Sequence, residues 1–214
     1  AAVLKCTLKP VVQSKQLSGD RLIADGIALI RVMYLDEGRK CVRCCEFSQP
    51  FTSTFAVKNV SVGAMIQVTA KTDYVNCRAT SPRRLDVHGA FTVKLKITAE
   101  GGCEVVSGLK GDRLYTRKQT VSFTVPAASS EKPFTSSEVL ELGAGKAPAE
   151  SLVRTDVVPH ATECKLLANK IILKGELLLK NLYVCDSAAG IMDQVQHEIP
   201  FSQIIDVDGL NDEW

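Results

Sequence analysis

The sequence predicts an all-β chain made of two tandem antiparallel β-sandwich-like domains, on three observations. The first is an internal repeat: IILKGELLLKNLYVCD, beginning at Ile171, answers LIADGIALIRVMYLD, beginning at Leu22, so that Gly175 falls on Gly26 and Tyr183 on Tyr34. The second is alternation of apolar and polar residues with a period of two, the pattern of a strand with one face on a core. The third is a chain punctuated by glycine turns and nearly free of helical signals.

The repeat extends in both directions. Pro10 answers Pro159, and Pro50-Phe51-Thr52 answers Pro200-Phe201-Ser202 with one residue of slippage. A unit of about 149 residues is far longer than a solenoid repeat of ~20–50 residues and reads as a whole domain copied in tandem. With 214 residues in all, each copy has length enough for its own core. The expected domains are residues 1–126 and 127–214, the second lacking the later half of the first.

Taken in order, LKCTLKPVVQSKQ from Leu4 is an alternating strand interrupted by Pro10, which suits a sheet edge. Residues 21–35 form a strand with Gly26 in its middle, a sign of a bulge or of the close approach of another backbone. Asp36-Glu37-Gly38-Arg39 turns the chain, and residues 40–47 return as a hairpin partner. Strands follow at 51–57, 65–72 and 85–98; in the last, Phe91, Val93, Leu95 and Ile97 share one face, with Thr92, Lys94, Lys96 and Thr98 on the other. Gly101-Gly102 is a turn, and 103–107 and 113–125 are further expected strands. PAASSEKP, from Pro126 to Pro133, is the composition break that marks the domain boundary. Thr135-Ser-Ser-Glu138 has the spacing of a capping box and predicts at most one short helix, near 136–142, stopped by Gly143. From Pro148 the chain repeats the opening of copy one, ending on Glu198-Ile-Pro-Phe201.

Composition narrows the function classes. Twenty-six Lys and Arg against 24 Asp and Glu leave a formal charge of +2, which gives no reason to expect a nucleic-acid partner. No apolar run approaches the ~20 residues of a spanning helix, so no direct membrane insertion is expected. The chain starts at Ala1 with no signal segment before it and stops where copy one has reached only Val62, so a piece of a longer protein is expected. Cysteines stand at 6, 41, 44, 45, 77, 103, 164 and 185. Cys44 and Cys45 are adjacent and point to opposite faces of a strand, and Cys41-Val-Arg-Cys44 has no second pair or nearby histidines to complete a zinc site. Reduced thiols, a cytoplasmic setting and no metal are the expectation.

Nothing in the sequence assembles a catalytic group. His88 is in phase with the lysine face of its strand, and His160 follows Pro159 at an edge. His197-Glu198 begins like a zinc-protease motif, but Phe201 stands where the second histidine belongs. Gly143-Ala-Gly-Lys146 lacks the upstream glycine and the Ser or Thr of a phosphate loop. Arg78, Arg83 and Arg84 make a basic turn at Ser81-Pro82, best read as pairing with Asp73 or Asp86. The carboxylates from Asp206 to Glu213 depart from a calcium loop and read as an acidic turn, and Asn59-Val-Ser61 is a glycosylation sequon without force in a reducing compartment. The expectation is a non-enzyme with no cofactor.

The repeated residues themselves point to a family. Asn169-Lys-Ile-Ile-Leu-Lys-Gly175 continuing to Tyr183, a hairpin, then His197-Glu-Ile-Pro-Phe-Ser-Gln-Ile-Ile205 closely resembles the SPOCS domain of endospore-forming Firmicutes. Copy one carries a divergent version with Gly26, Tyr34, Pro50 and Phe51, followed by what resembles the family's later half: Val68-Thr-Ala-Lys-Thr-Asp-Tyr-Val-Asn-Cys-Arg78 and Arg83-Arg84-Leu-Asp-Val-His-Gly89. Such a tandem resembles the SPOCS region of larger sporulation proteins that end in a LysM module, which this chain does not contain. The resemblance implies a structural, non-catalytic assembly protein of the mother cell at the forespore or spore-coat surface, with coat-protein or homo-oligomeric partners. On this reading Gly26, Tyr34, Pro50, Phe51, Arg83, Arg84, Gly175, Tyr183, Pro200 and Phe201 are architectural. Strand edges at residues 4–13 or 155–164 are one route to partner contacts, and tandem copies add a second weak contact at high effective concentration. The alternative is a cell-wall glycan-binding β-sandwich, against which stands an aromatic content of 6% with Trp214 as the sole tryptophan.

Overall fold

The computed structural model describes residues 2–36, 38, 41–58, 60–61, 63–81, 83–102, 104–111, 114–115, 117 and 119–209. Eight strands run through them: β1 Ala2–Ser18, β2 Arg21–Asp36, β3 Cys41–Ala56, β4 Met65–Ser81, β5 Arg84–Thr98, β6 Ser151–Leu167, β7 Lys170–Asp186 and β8 Ile191–Asp206. They pair antiparallel into a β1-β2-β3 meander, a β4-β5 hairpin and a β6-β7-β8 meander. The all-β expectation holds, and the two meanders are the repeat made visible.

In module one the core is the side of β2 that carries Leu22, Ala24, Ala28 and Val32, all buried. Two-residue spacing puts them on one face, and the β4-β5 hairpin covers that face. The Phe91 ring of β5 meets Phe51 of β3 at 4.8 Å between centroids, and the Thr72 hydroxyl of β4 donates to the Leu8 carbonyl of β1. The expected alternation of β5 is present, with Phe91, Val93, Leu95 and Ile97 less exposed than Thr92, Lys94 and Lys96. β4 lies against β1 but joins no common ladder with it. Pro10 has no N–H to offer and the chain bulges at Gln13, two features that break up an edge ladder.

Module two reproduces module one down to its irregularities. β1 bulges at Leu4 and Gln13, and β6 bulges at the matching Val153 and Thr162. Val57 N–H donates to the Asp20 carbonyl at 2.9 Å, and Val207 does the same to Asn169 at 2.9 Å. The single residue of slippage between the copies has a location: Cys185, the extra residue of a bulge between Val184 and Asp186.

What differs is the cover. Over module two no hairpin is present among the described residues, and residues 131–147 run along β8 instead. Lys132 donates to the Ile204 carbonyl at 2.8 Å, Phe134 sits 5.4 Å from Phe201, His197 Nε2 lies 3.0 Å from the Glu141 carbonyl, and Lys146 pairs with Asp193 at 2.9 Å. Phe134 thus takes on Phe201 the place that Phe91 takes on Phe51.

Three expectations are corrected. No helix forms at 136–142; a single turn fixes several dihedrals for one hydrogen bond, and the segment spends its polar groups on β8. The described residues of 103–107 and 113–125 form no strand, since they have no neighbouring strand to pair with, and Val105, Val106, Tyr115 and Phe123 stand exposed. The two strands expected at 40–47 and 51–57 are one continuous β3: on an outer strand Pro50 can turn its donor-less nitrogen away from the ladder. Asn59, Pro82, Cys103, Asn211 to Trp214 and the turn residues Glu37 and Arg39 lie outside the described residues.

The two meanders meet through a small apolar cluster. Cys41, Val153 and Val184 are buried together, with Met33, Val42, Cys44 and Leu182 packed around them. Arg31 reaches across to the Thr155 carbonyl at 3.4 Å. Met33 and Leu182 are matching positions of the repeat, so each copy brings the same face to the contact.

Candidate functional site

The sequence-predicted residues gather into one cross-strand device per module. Gly26 is paired on one side with Val12 and on the other with Phe51; Gly175 is paired with Ala161 and Phe201. A Cβ on Gly26 would collide with the Val11 carbonyl and stand 2.6 Å from Phe51 Cζ. On Gly175 it would collide with the His160 carbonyl and stand 2.7 Å from Phe201 Cζ. The glycine is therefore the bed on which a neighbouring phenylalanine lies flat, beside the bulge that brings the outer strand close. Pro50 and Pro200 precede these phenylalanines in the middle of β3 and β8, not at strand starts.

Tyr34 and Tyr183 are not equally placed. Tyr183 is only 2% exposed, and its hydroxyl donates to Asp193 at 3.4 Å. Burial pushes the phenol above its ordinary range, with the Asp193 charge adding to it. The Lys146 ammonium, hydrogen-bonded to Asp193, holds that carboxyl below the usual range, and the same bond raises Lys146. Tyr34 is half-buried and borders a cavity of about 340 Å³ between the modules, with Cys41, Arg43, Glu150 and Leu152. Arg83 and Arg84 sit at the β4-β5 turn, where Arg84 pairs with Asp86 at 3.2 Å, an exposed ion pair.

The histidines do not converge on one another. His88 is exposed and stacks on Tyr74 at 5.9 Å, His160 is exposed on β6, and His197 meets the 131–147 segment. Among the described residues no group of three or more His, Cys, Asp or Glu is arranged to hold a metal ion. No helix is long and apolar enough to cross a membrane.

Two further features were out of reach of sequence reasoning. Cys6 and Cys45 flank Val32 from either side of β2 and so share its face. Burial, together with the neighbouring Cys77, pushes the Cys6 thiol up to about 11. The second is a groove of about 610 Å³ between the modules, lined by Lys9, Leu29, Arg31, Arg154, Asp156 and Lys180 among others. Its walls are matching faces of the repeat, which the alternation foreshadowed, but their meeting is a tertiary event.

The comparison with known families decides the relationship: the model described as SipL, SPOCS domain, matches residues 1–80 and 148–213. The chain belongs to the SPOCS-domain family. The match covers both meanders, and the β4-β5 hairpin as far as Thr80. All the SPOCS-type glycines, tyrosines and Pro-Phe pairs named above fall inside it, whereas Arg83 and Arg84 lie beyond its first segment. Neither a curated protein nor a solved structure gives a match. SPOCS membership makes this a sporulation-related protein of a generally non-enzymatic domain family.

Proposed function

We propose that the chain is a non-catalytic assembly module of an endospore-forming bacterium, contributing to spore coat or envelope morphogenesis through protein–protein contacts on the mother-cell side of the forespore. The observation that carries this reading is the contrast between the two copies of one module. On β1 the apolar stripe of Leu8, Pro10 and Val12 is half-buried to buried beneath the β4-β5 hairpin. Its counterpart on β6, Val157, Pro159 and Ala161, is exposed, Val157 to 53%. A sheet face of this kind gains by meeting another protein surface. Residues 155–164 are therefore the contact strand, toward a coat protein or a second copy of the chain.

The test is a fluorescent fusion of the protein in a sporulating endospore former, with co-purification of its partners. Recruitment to the forespore surface, with coat proteins recovered and recovery reduced by Val157→Lys, supports the proposal. A diffuse signal with no coat protein recovered overturns it. Retention on purified peptidoglycan in place of coat proteins favours a glycan-binding module.

A further inference from the structure

We propose that the groove between the two modules is a binding site for an acidic, extended segment of a partner protein. This deepens the assembly reading and rests on it. The groove holds four cationic side chains, Lys9, Arg31, Arg154 and Lys180, and two carboxylates, Glu46 and Asp156. Each carboxylate is already engaged by an arginine: Arg31 with Glu46 at 2.7 Å and Arg154 with Asp156 at 2.8 Å. Neither Lys9 nor Lys180 has a carboxylate within ion-pair distance among the described residues. The site is left with two positive charges that nothing inside it answers.

The rest of the lining says what shape of anion fits. Leu29 and Val158 supply apolar floor between the charges, Val158 being 49% exposed. No aromatic side chain lines the groove, so sugars and nucleobases find no ring to stack on. A strand-like peptide with alternating acidic and apolar residues matches both, its carboxylates toward the lysines and its aliphatic side chains on the floor. Cations meet here because the modules present matching faces: Arg31 of copy one corresponds to Lys180 of copy two and Leu29 to Leu178. Both Arg31 and Arg154 also act on the Cys44 thiol beneath them, pulling against the burial that raises it.

The full chain is titrated calorimetrically with a capped peptide of alternating glutamate and valine, beside glutamine-valine and lysine-valine peptides of equal length. Binding of the glutamate peptide alone is expected, weakening as salt is raised. The double variant Lys9→Glu/Lys180→Glu is expected to lose about tenfold or more in affinity, while Lys94→Glu/Lys96→Glu, on the far face of β5, leaves it unchanged. Circular dichroism controls for folding, since all four positions are exposed. Equal binding of the glutamine peptide, no binding at low salt, or an unaffected double variant overturns the groove. Recovery of coat proteins by the Lys9/Lys180 variant at the wild-type level would sink the groove and leave the assembly reading standing. Failure of the wild type to recover any would sink the assembly reading, with the peptide titration still deciding the groove.

Discussion

The ring of Phe51 rests directly on Gly26, with its Cζ only 2.6 Å from where a Cβ would be. Gly26 is extended backbone within β2, so its need for glycine is one of space and not of handedness. The same fit recurs at Gly175 under Phe201, across modules whose other side chains have diverged.

Gly26→Ala and Gly175→Ala are each expected to lower stability by about 2–3 kcal/mol, the cost of overpacking a closed site. Phe51→Leu combined with Gly26→Ala should recover only part of the loss, because the Val11 carbonyl still blocks the methyl group. Urea unfolding of the two single variants and the double variant checks this; a neutral Gly26→Ala would show that β1 and β2 separate at little cost.

Leu8 and Val157 occupy matching positions with opposite surroundings, one near Gly89 of the hairpin and one exposed. Leu8→Asp is expected to cost about 2–3 kcal/mol by placing a charge in an apolar contact. Val157→Asp should stay within about 0.5 kcal/mol, as exposed substitutions do, while reducing recovery of partners. Equal thermal shifts in the two variants would remove the distinction between a covered and an open stripe.

The Lys146–Asp193 pair makes a pH prediction with a definite sign. Asp193 has its pKa depressed by Lys146, so its contribution is present above the ordinary aspartate range and is lost as acid protonates it. Lys146 is raised by the same partner, so its contribution is full below the ordinary lysine range and is lost only as pH rises through the raised value. Asp193→Asn should therefore reduce the acid-side loss of stability and loosen the Lys146 end of the 131–147 segment on β8. Thermal melts from pH 3 upward, with hydrogen exchange on residues 141–147, measure both.

Thiol reactivity should follow surroundings. Cys164 is exposed, whereas burial raises the thiols of Cys6, Cys44 and Cys45 and keeps them protonated. Brief iodoacetamide treatment at pH 8 is expected to label Cys164 ahead of Cys6, Cys44 and Cys45, read by peptide mass spectrometry. Early labelling of Cys6 would mean that the hairpin opens from β1.

Much of the fold was legible because strand periodicity and duplication are both local, countable signals. Gly26 and Gly175 announced a close backbone approach, which the Val11 and His160 carbonyls make; the phenylalanine lying over each glycine was not announced. The slipped residue had no address in the sequence, since any residue between Tyr183 and Pro200 could have been the extra one; strand register makes it a bulge at Cys185. The helix at 136–142 was misread because capping residues describe only local preference, and the surface of β8 outweighs them. The groove was invisible for the opposite reason: Lys9 and Lys180 are ordinary surface lysines until two sheets bring them to one opening.

Pro10, Pro50, Pro159 and Pro200 sit in the middle of all four outer strands of the two meanders. A neighbouring chain that begins to zip onto any of these margins meets a missing donor within a few residues and must stop. Contacts made at these margins are thereby confined to short patches. Margins interrupted in this way permit finite, reversible joints between chains without seeding runaway fibrils.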